Sequence, residues 1–248
     1  MSSGLVLEGV SKSYGKKEAL RDLTLRVPPG TITVFLGPNG AGKTTTIKLV
    51  AGLLRPDAGR IRVDGIDLSQ APLEAKRRLS YIPDEPYLYD KLTGREFLRF
   101  VGRLQGLADA ESDRRIGLWG ERFEAGAFLD TLTESYSHGM KQRVVFCAAL
   151  LRDPTVLVID EPLVGLDPHT IRTALGVLRE RAEAGGAILI SSHSIQVLEG
   201  IADRAGILQD GRLVEEGPVA EVVGRVRPGG TLEEAFFDLT ERRDPGVP

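Results

Sequence analysis

Residues 37–44 read Gly-Pro-Asn-Gly-Ala-Gly-Lys-Thr and follow directly on Thr31–Leu36, a β-branched and wholly apolar run. The run predicts a buried strand and the residues from about Lys43 predict a helix, so the glycines fall at a strand–loop–helix junction. Glycine lets successive backbone N–H groups curl toward one centre without Cβ clashes, and the helix behind aims the positive end of its dipole there. That arrangement cradles phosphate. In it Gly37, Pro38, Asn39, Gly40, Ala41 and Gly42 supply backbone, Lys43 reaches the terminal phosphates, and Thr44, with Thr45 beside it, opens the helix. The Thr44 hydroxyl suits Mg²⁺.

Short apolar runs alternate with helical patterns along the rest of the chain, which predicts an α/β protein with a largely parallel sheet. Leu5, Leu7 and Gly9-Val10 predict a short strand, and Leu23, Leu25 and Val27 a half-buried one. Strands are also expected over 60–63, 155–159 and 187–190, with a hairpin over 207–214 turning at Asp210-Gly211. Between them the pattern is helical: Thr93 and Glu96 form a capping box ahead of Phe97, Val101 and Leu104. Trp119, Phe123 and Phe128 continue it, and Val144, Cys147, Ala148 and Leu151 mark another helical face. Asp167-Pro168 opens a helix carrying Ile171, Leu175 and Leu178, and residues 231–240 predict a short amphipathic one.

At 248 residues, 42% hydrophobic and 27% charged, the chain suits one domain with a sizeable core and excludes low-complexity disorder. The expected division is an α/β core over about 1–84 and 153–225, a helical subdomain over about 85–152 and a tail over 226–248. A net charge of −3 without a basic block argues against nucleic acid as a partner. One cysteine makes no internal disulfide, which suits a reducing cytosol, and Cys147 reads as packing. The three histidines lack zinc-ligand spacing. The longest uncharged stretch, 27–42, is too short for a membrane span and is broken by Pro28, Pro29, Gly37 and Pro38. The first ten residues lack a secretory signal, so the chain is expected to cross no membrane by itself.

A second chemical signal is Val156-Leu157-Val158-Ile159-Asp160-Glu161-Pro162. Four apolar β-formers ending in two carboxylates put Asp160 and Glu161 at the C-terminal edge of a parallel sheet, where ligands bind. Asp160 suits Mg²⁺, leaving Glu161 to polarise water as general base.

Taken in order, these stretches resemble the nucleotide-binding subunit of ATP-binding-cassette (ABC) transporters over roughly residues 4–240. The family signature has its counterpart in Tyr136-Ser137-His138-Gly139-Met140, the D-loop in Val164-Gly165-Leu166-Asp167, the switch histidine in His193 and the adenine-stacking aromatic in Tyr14. The resemblance implies a RecA-like P-loop NTPase core with an N-terminal antiparallel β subdomain and an inserted helical subdomain. It also implies a head-to-tail dimer, of two copies or of two related chains, in which Ser137, Gly139 and Asp167 of one chain close on ATP at the other's loop. By themselves Ser137 and Asp167 read as helix N-caps, His193 as a capping or core histidine and Tyr14 as a half-buried loop residue.

The sequence departs from the family pattern at three positions. Asp84 stands where the family's Q-loop has glutamine, with Glu85 as the alternative; a carboxylate there adds charge beside the triphosphate and donates no hydrogen bond. His138 replaces the first signature glycine and Met140 the signature glutamine. His138 is either an imidazole titrating near the partner's nucleotide or a tolerated, partly solvated side chain, and the second reading is favoured.

The function implied is a cytosolic ATPase at the inner face of the cell membrane, driving export through a separate membrane-spanning permease. The aromatic segment 85–92 sits where the family receives the permease's coupling helix. A non-transport ABC ATPase, for example in iron–sulfur assembly, is the alternative; a P-loop kinase or GTPase would leave the signature stretch unexplained. Cargo lies with the permease, outside this sequence.

Overall fold

Apolar alternation folds the first strands into a hairpin. In a computed structural model describing residues 3–163, 165–192 and 194–241, β1 (Leu5–Tyr14) pairs antiparallel with β2 (Lys17–Val27), from Leu5 opposite Val27 to Tyr14 opposite Lys17. Leu5, Leu7, Val10, Leu20, Leu23, Leu25 and Val27 are all buried. β1 runs past the short strand expected from its apolar residues, because the ladder continues through polar 11–14 after register shifts beyond Leu7. Gly9, at φ +61°, takes the backbone through the first of these.

After β3 (Thr31–Leu36) and α1 (Lys43–Val50), β4 (Ala58–Val63) returns to pair with β1, and β5 (Ile66–Asp67) completes an antiparallel sheet ordered β2-β1-β4-β5. Then α2 (Pro72–Arg78) leads into β6 (Leu79–Ile82). Neither has a strong local signal: β6 holds four residues, and its place comes from parallel pairing with β7 (Val156–Asp160).

Between β6 and β7 lie α3 (Gly94–Leu104), α4 (Asp109–Arg122) and α5 (His138–Leu150). Thr93 caps α3 reciprocally: its hydroxyl accepts from the Glu96 N–H, and the Glu96 carboxylate accepts from the Thr93 N–H at 2.8 Å. Two expectations shift here. Leu104 is 72% exposed because the buried face of α3 runs through Phe97, Leu98 and Gly102, and Phe128 lies beyond the end of α4. There its ring meets Tyr136 edge-on. Phe146 stacks on Phe123 at 5.2 Å beneath these helices, a fully buried aromatic contributing about 1.5–3 kcal/mol by its burial. Cys147 is buried, and its thiol is pushed up to about 12, so it stays a neutral packing group.

The second sheet runs β10-β9-β3-β8-β7-β6, with β8 (Ala187–Ser191), β9 (Arg204–Gln209) and β10 (Arg212–Pro218). All neighbours are parallel except β9 and β10, which turn at Asp210 and Gly211 with φ +48° and +76°, as a two-residue hairpin demands. Successive side chains face opposite ways. Ile32, Val34, Leu157, Ile159, Ile188 and Ile190 join the core under the helices, whereas Phe35, Val156, Val158 and Leu189 join the core against the first sheet. A sheet covered on both faces explains why these strands read as continuous apolar runs.

The remaining helices are α6 (Pro168–Glu183), α7 (Ile195–Glu199), α8 (Val219–Val226) and α9 (Leu232–Glu241). No helix among the described residues is long and apolar enough to cross a membrane.

Candidate functional site

The loop between β3 and α1 is shaped by two glycines. A Cβ on Gly37 would meet the Leu208 carbonyl oxygen at 2.5 Å. At Gly42, φ +113°, it would meet the Ala19 carbonyl oxygen at 2.6 Å. The loop is moored from both ends: the Gly211 N–H donates to the Ala41 carbonyl at 3.0 Å, and the Thr46 N–H to that of Gly42 at 2.9 Å. Lys43, 7% exposed, donates to the carbonyls of Gly37 and Pro38. Burial pulls its ammonium below the ordinary lysine range, opposed by the charges of Glu161 and Asp160.

Those carboxylates arrive on β7. Asp160 is buried and accepts from the Ser191 hydroxyl on β8. The chain then turns sharply: Glu161 has φ +45°, and its N–H donates to the Ser191 carbonyl at 2.9 Å. A non-glycine residue in the left-handed region is strained, and such strain concentrates where a side chain must be aimed. Tyr81 on β6 lies near Asp160 and Asp84, and burial together with these charges pushes its phenol up to about 12.

One open cleft of about 400 Å³ is lined by Tyr14, Lys17, Ala19, Pro38, Asn39, Gly40, Gly42, Lys43, Thr44, Thr45, Asp84, Asp160 and Glu161. Gly37 and Ala41 are buried within the loop behind it. Tyr14, 50% exposed, stands at its rim. The fold thus gathers in one cleft residues spread over 147 positions of sequence, from 14 to 161.

Ser137, Gly139 and Asp167 do not line this cleft. Ser137 caps α5, accepting from the Met140 N–H at 3.3 Å. Gly139 packs against the carbonyl of Gly165, and the His138 ring lies on the Cα of the same residue. Asp167 caps α6, accepting from the N–H groups of His169 and Thr170 at 3.0 Å each, from the Thr170 hydroxyl at 2.6 Å and from Arg143 at 2.7 Å. Residues 137–139 and 165–167 are therefore tied to each other within the chain, with Ser137 and Asp167 both exposed. His193 and Val164 lie outside the described residues.

The family model described as ABC transporter matches residues 20–164, more than half of the chain. This chain belongs to the ABC transporter family. It is 36% identical over 214 residues to the daunorubicin/doxorubicin resistance ATP-binding protein DrrA of Streptomyces peucetius, covering 86% of this chain and 65% of the relative. It is 33% identical over 222 residues to the linearmycin resistance ATP-binding protein LnrL of Bacillus subtilis (strain 168), covering 90% and 71%. Among solved structures, an ATP-binding subunit of an ABC transporter superposes with a TM-score of 0.91 at 34% identity, over 96% of this chain and 99% of that one.

In this ABC chain, sequence reasoning passed over Ser191, Lys17 and Ala19. Ser191 had a faint signal, a hydroxyl residue ending an apolar strand, but its contact with Asp160 depends on β8 lying beside β7. Lys17 and Ala19 sit in β2 without local distinction and reach the cleft only because the first sheet folds over it.

The cap at Asp167 carries a pH prediction. The Thr170 hydroxyl first, then the Thr170 amide and Arg143, hold the Asp167 carboxyl well below the usual carboxylate range. A depressed folded-state pKa means stability that is present above the unfolded value, about 3.9, and lost as pH falls toward the folded one. Asp167→Ala should therefore lower the urea midpoint at neutral pH, with the gap to wild type shrinking steadily below about pH 4. A gap that stays constant into acid would separate Asp167 from this linkage.

Proposed function

We propose that this chain is the motor subunit of an ABC exporter, hydrolysing Mg·ATP between two cassettes at the cytoplasmic face of a membrane and driving a separate permease. The observation that carries this reading is the divided site. Loop 37–44, Asp160 and Glu161 share one cleft, whereas Ser137 and Asp167, both exposed, and half-buried Gly139 lie outside it on the same chain. A second chain, a copy or a close relative, completes the cleft with its own signature.

The donor set suits a hard cation: Thr44, Asp84 and Asp160 bring oxygen ligands to one cleft, as Mg²⁺ requires. When bound, Mg²⁺ neutralises charge on the β- and γ-phosphates. The protein's own groups do the rest. Backbone amides of 37–44 hold the phosphates, Lys43 pairs with the terminal ones, Tyr14 stacks on adenine, and Glu161 takes a proton from the attacking water. His193 belongs to this reading as the γ-phosphate sensor.

Permease docking is supported by Tyr87, Tyr89 and Phe100, which are 76%, 46% and 39% exposed and whose rings meet edge-to-face, Tyr87 lining an apolar groove. That groove, about 280 Å³, runs between β6 and α5 past Tyr81, Pro83, Phe97, Val101 and Ala148. Export is the direction suggested by relatives named for drug resistance.

Two measurements test the site. ATP turnover per chain should rise with protein concentration, since each site needs two chains; a rate independent of concentration overturns the divided site. Asp84→Gln should raise the Mg²⁺ concentration needed for half-maximal hydrolysis by removing a charged oxygen, whereas superimposable titrations would take Asp84 out of the metal site.

A further inference from the structure

The walls of the apolar groove continue beyond it. Following α5 past Ala149 and β6 back past Leu79 leads to a second cleft of about 590 Å³, lined by Leu73, Glu74, Arg77, Arg78, Arg152 and Asp153. Its arginines differ from the others nearby. Arg95, Arg99 and Arg103 of α3 and Arg114, Arg115 and Arg122 of α4 each hold a carboxylate in an ion pair. Among the described residues, Arg77 and Arg152 hold none, and Arg78 approaches only Asp64, at 3.9 Å. Of the two acids in the cleft, Asp153 is engaged by Arg181, and Glu74 shares the lining with three arginines. Leu73 stands at the edge, 78% exposed.

We infer that groove and cleft together receive one helical segment of the permease, apolar along its length and acidic at the end reaching α2. This rests on the docking reading above and adds the chemistry of its partner. The apolar floor suits the side of an amphipathic helix. From Val145 to the end of α5 at Leu150 the wall spans about 7.5 Å at 1.5 Å per residue, and Arg152 follows two residues on. Carboxylates at its far end meet planar guanidiniums that bind them in a two-pronged fashion. The cleft is concave, so a helix end enters it more fully than a flat bilayer surface does. Charge at the rim chiefly sets the direction and register in which the helix lies, and speeds its arrival.

The test uses the full chain and synthetic amphipathic peptides of equal length sharing one Leu/Phe/Ala face and ending in paired glutamates, glutamines or lysines, followed by fluorescence anisotropy. The glutamate-ended peptide should bind about 5–10-fold more tightly than the glutamine-ended one at low salt, with the lysine-ended one weakest. The gap should close as salt is added. The Arg77→Glu/Arg152→Glu variant, altered only at residues without ion-pair partners, should reverse the order of the three peptides. Equal binding of all three would overturn the acidic anchor while leaving the dock in place; binding of none would overturn the dock and the anchor with it. Retention of the chain by phosphatidylglycerol but not phosphatidylcholine vesicles, lost in the same variant and without any peptide preference, would assign the arginines to lipid and overturn the inference.

Discussion

Glu161→Gln should retain ATP and hydrolyse it about 10²–10⁴-fold more slowly, the usual cost of losing a positioned general base. The change is nearly isosteric. It leaves the backbone turn at φ +45° and the Glu161 N–H bond to Ser191 as they are, and it keeps Asp160 and the loop, with Lys43 still facing the Asp160 charge. What it removes is a carboxylate able to accept the proton of the attacking water. Binding and chemistry therefore separate: a fluorescent-nucleotide titration should be unchanged, single-turnover hydrolysis should collapse, and an ATP-bound pair of chains should accumulate on gel filtration. Turnover near the wild-type rate would remove Glu161 from the role of base.

Lys43→Ala should produce the opposite split, weakening ATP binding itself. Lys43 is nearly buried, and its ammonium bonds to carbonyls of its own loop while facing Asp160 and Glu161. A charged hydrogen bond of this kind contributes about 1.5–3 kcal/mol, so its loss corresponds to a dissociation constant raised about 10–150-fold. Truncation also leaves two carboxylates beside the triphosphate without their nearest cation, which pushes the effect toward the upper end. Calorimetric titration with ATP at constant Mg²⁺ checks it. An unchanged dissociation constant would mean that backbone amides alone hold the phosphates.

The contrast between these variants reflects two kinds of information in the chain. Residues 37–44 and the carboxylates closing Val156–Asp160 are legible because their chemistry depends on neighbours in sequence: glycines that free backbone amides, a strand that ends at a sheet edge, a helix that begins. The Thr93–Glu96 cap and the Asp210-Gly211 turn are legible for the same reason. Tyr14 and Asp84 carry no such local mark. Only the family resemblance points to them, and the structure brings both to the cleft.

Residues 37–44, the carboxylate pair, the alternating α/β order and the helical character of the middle third follow from the order of amino acids, since each arises from periodicity or from contacts a few residues apart. Tertiary structure alone decided that Ser191 holds Asp160, that β6 forms the sheet edge, and that Ser137 and Asp167 lie apart from the cleft formed by their own chain. It also decided that Arg77 and Arg152, 75 positions apart, line one cleft. Those outcomes depend on how separate segments pack, and burial of apolar faces, which drives the packing, is blind to which polar groups it brings together.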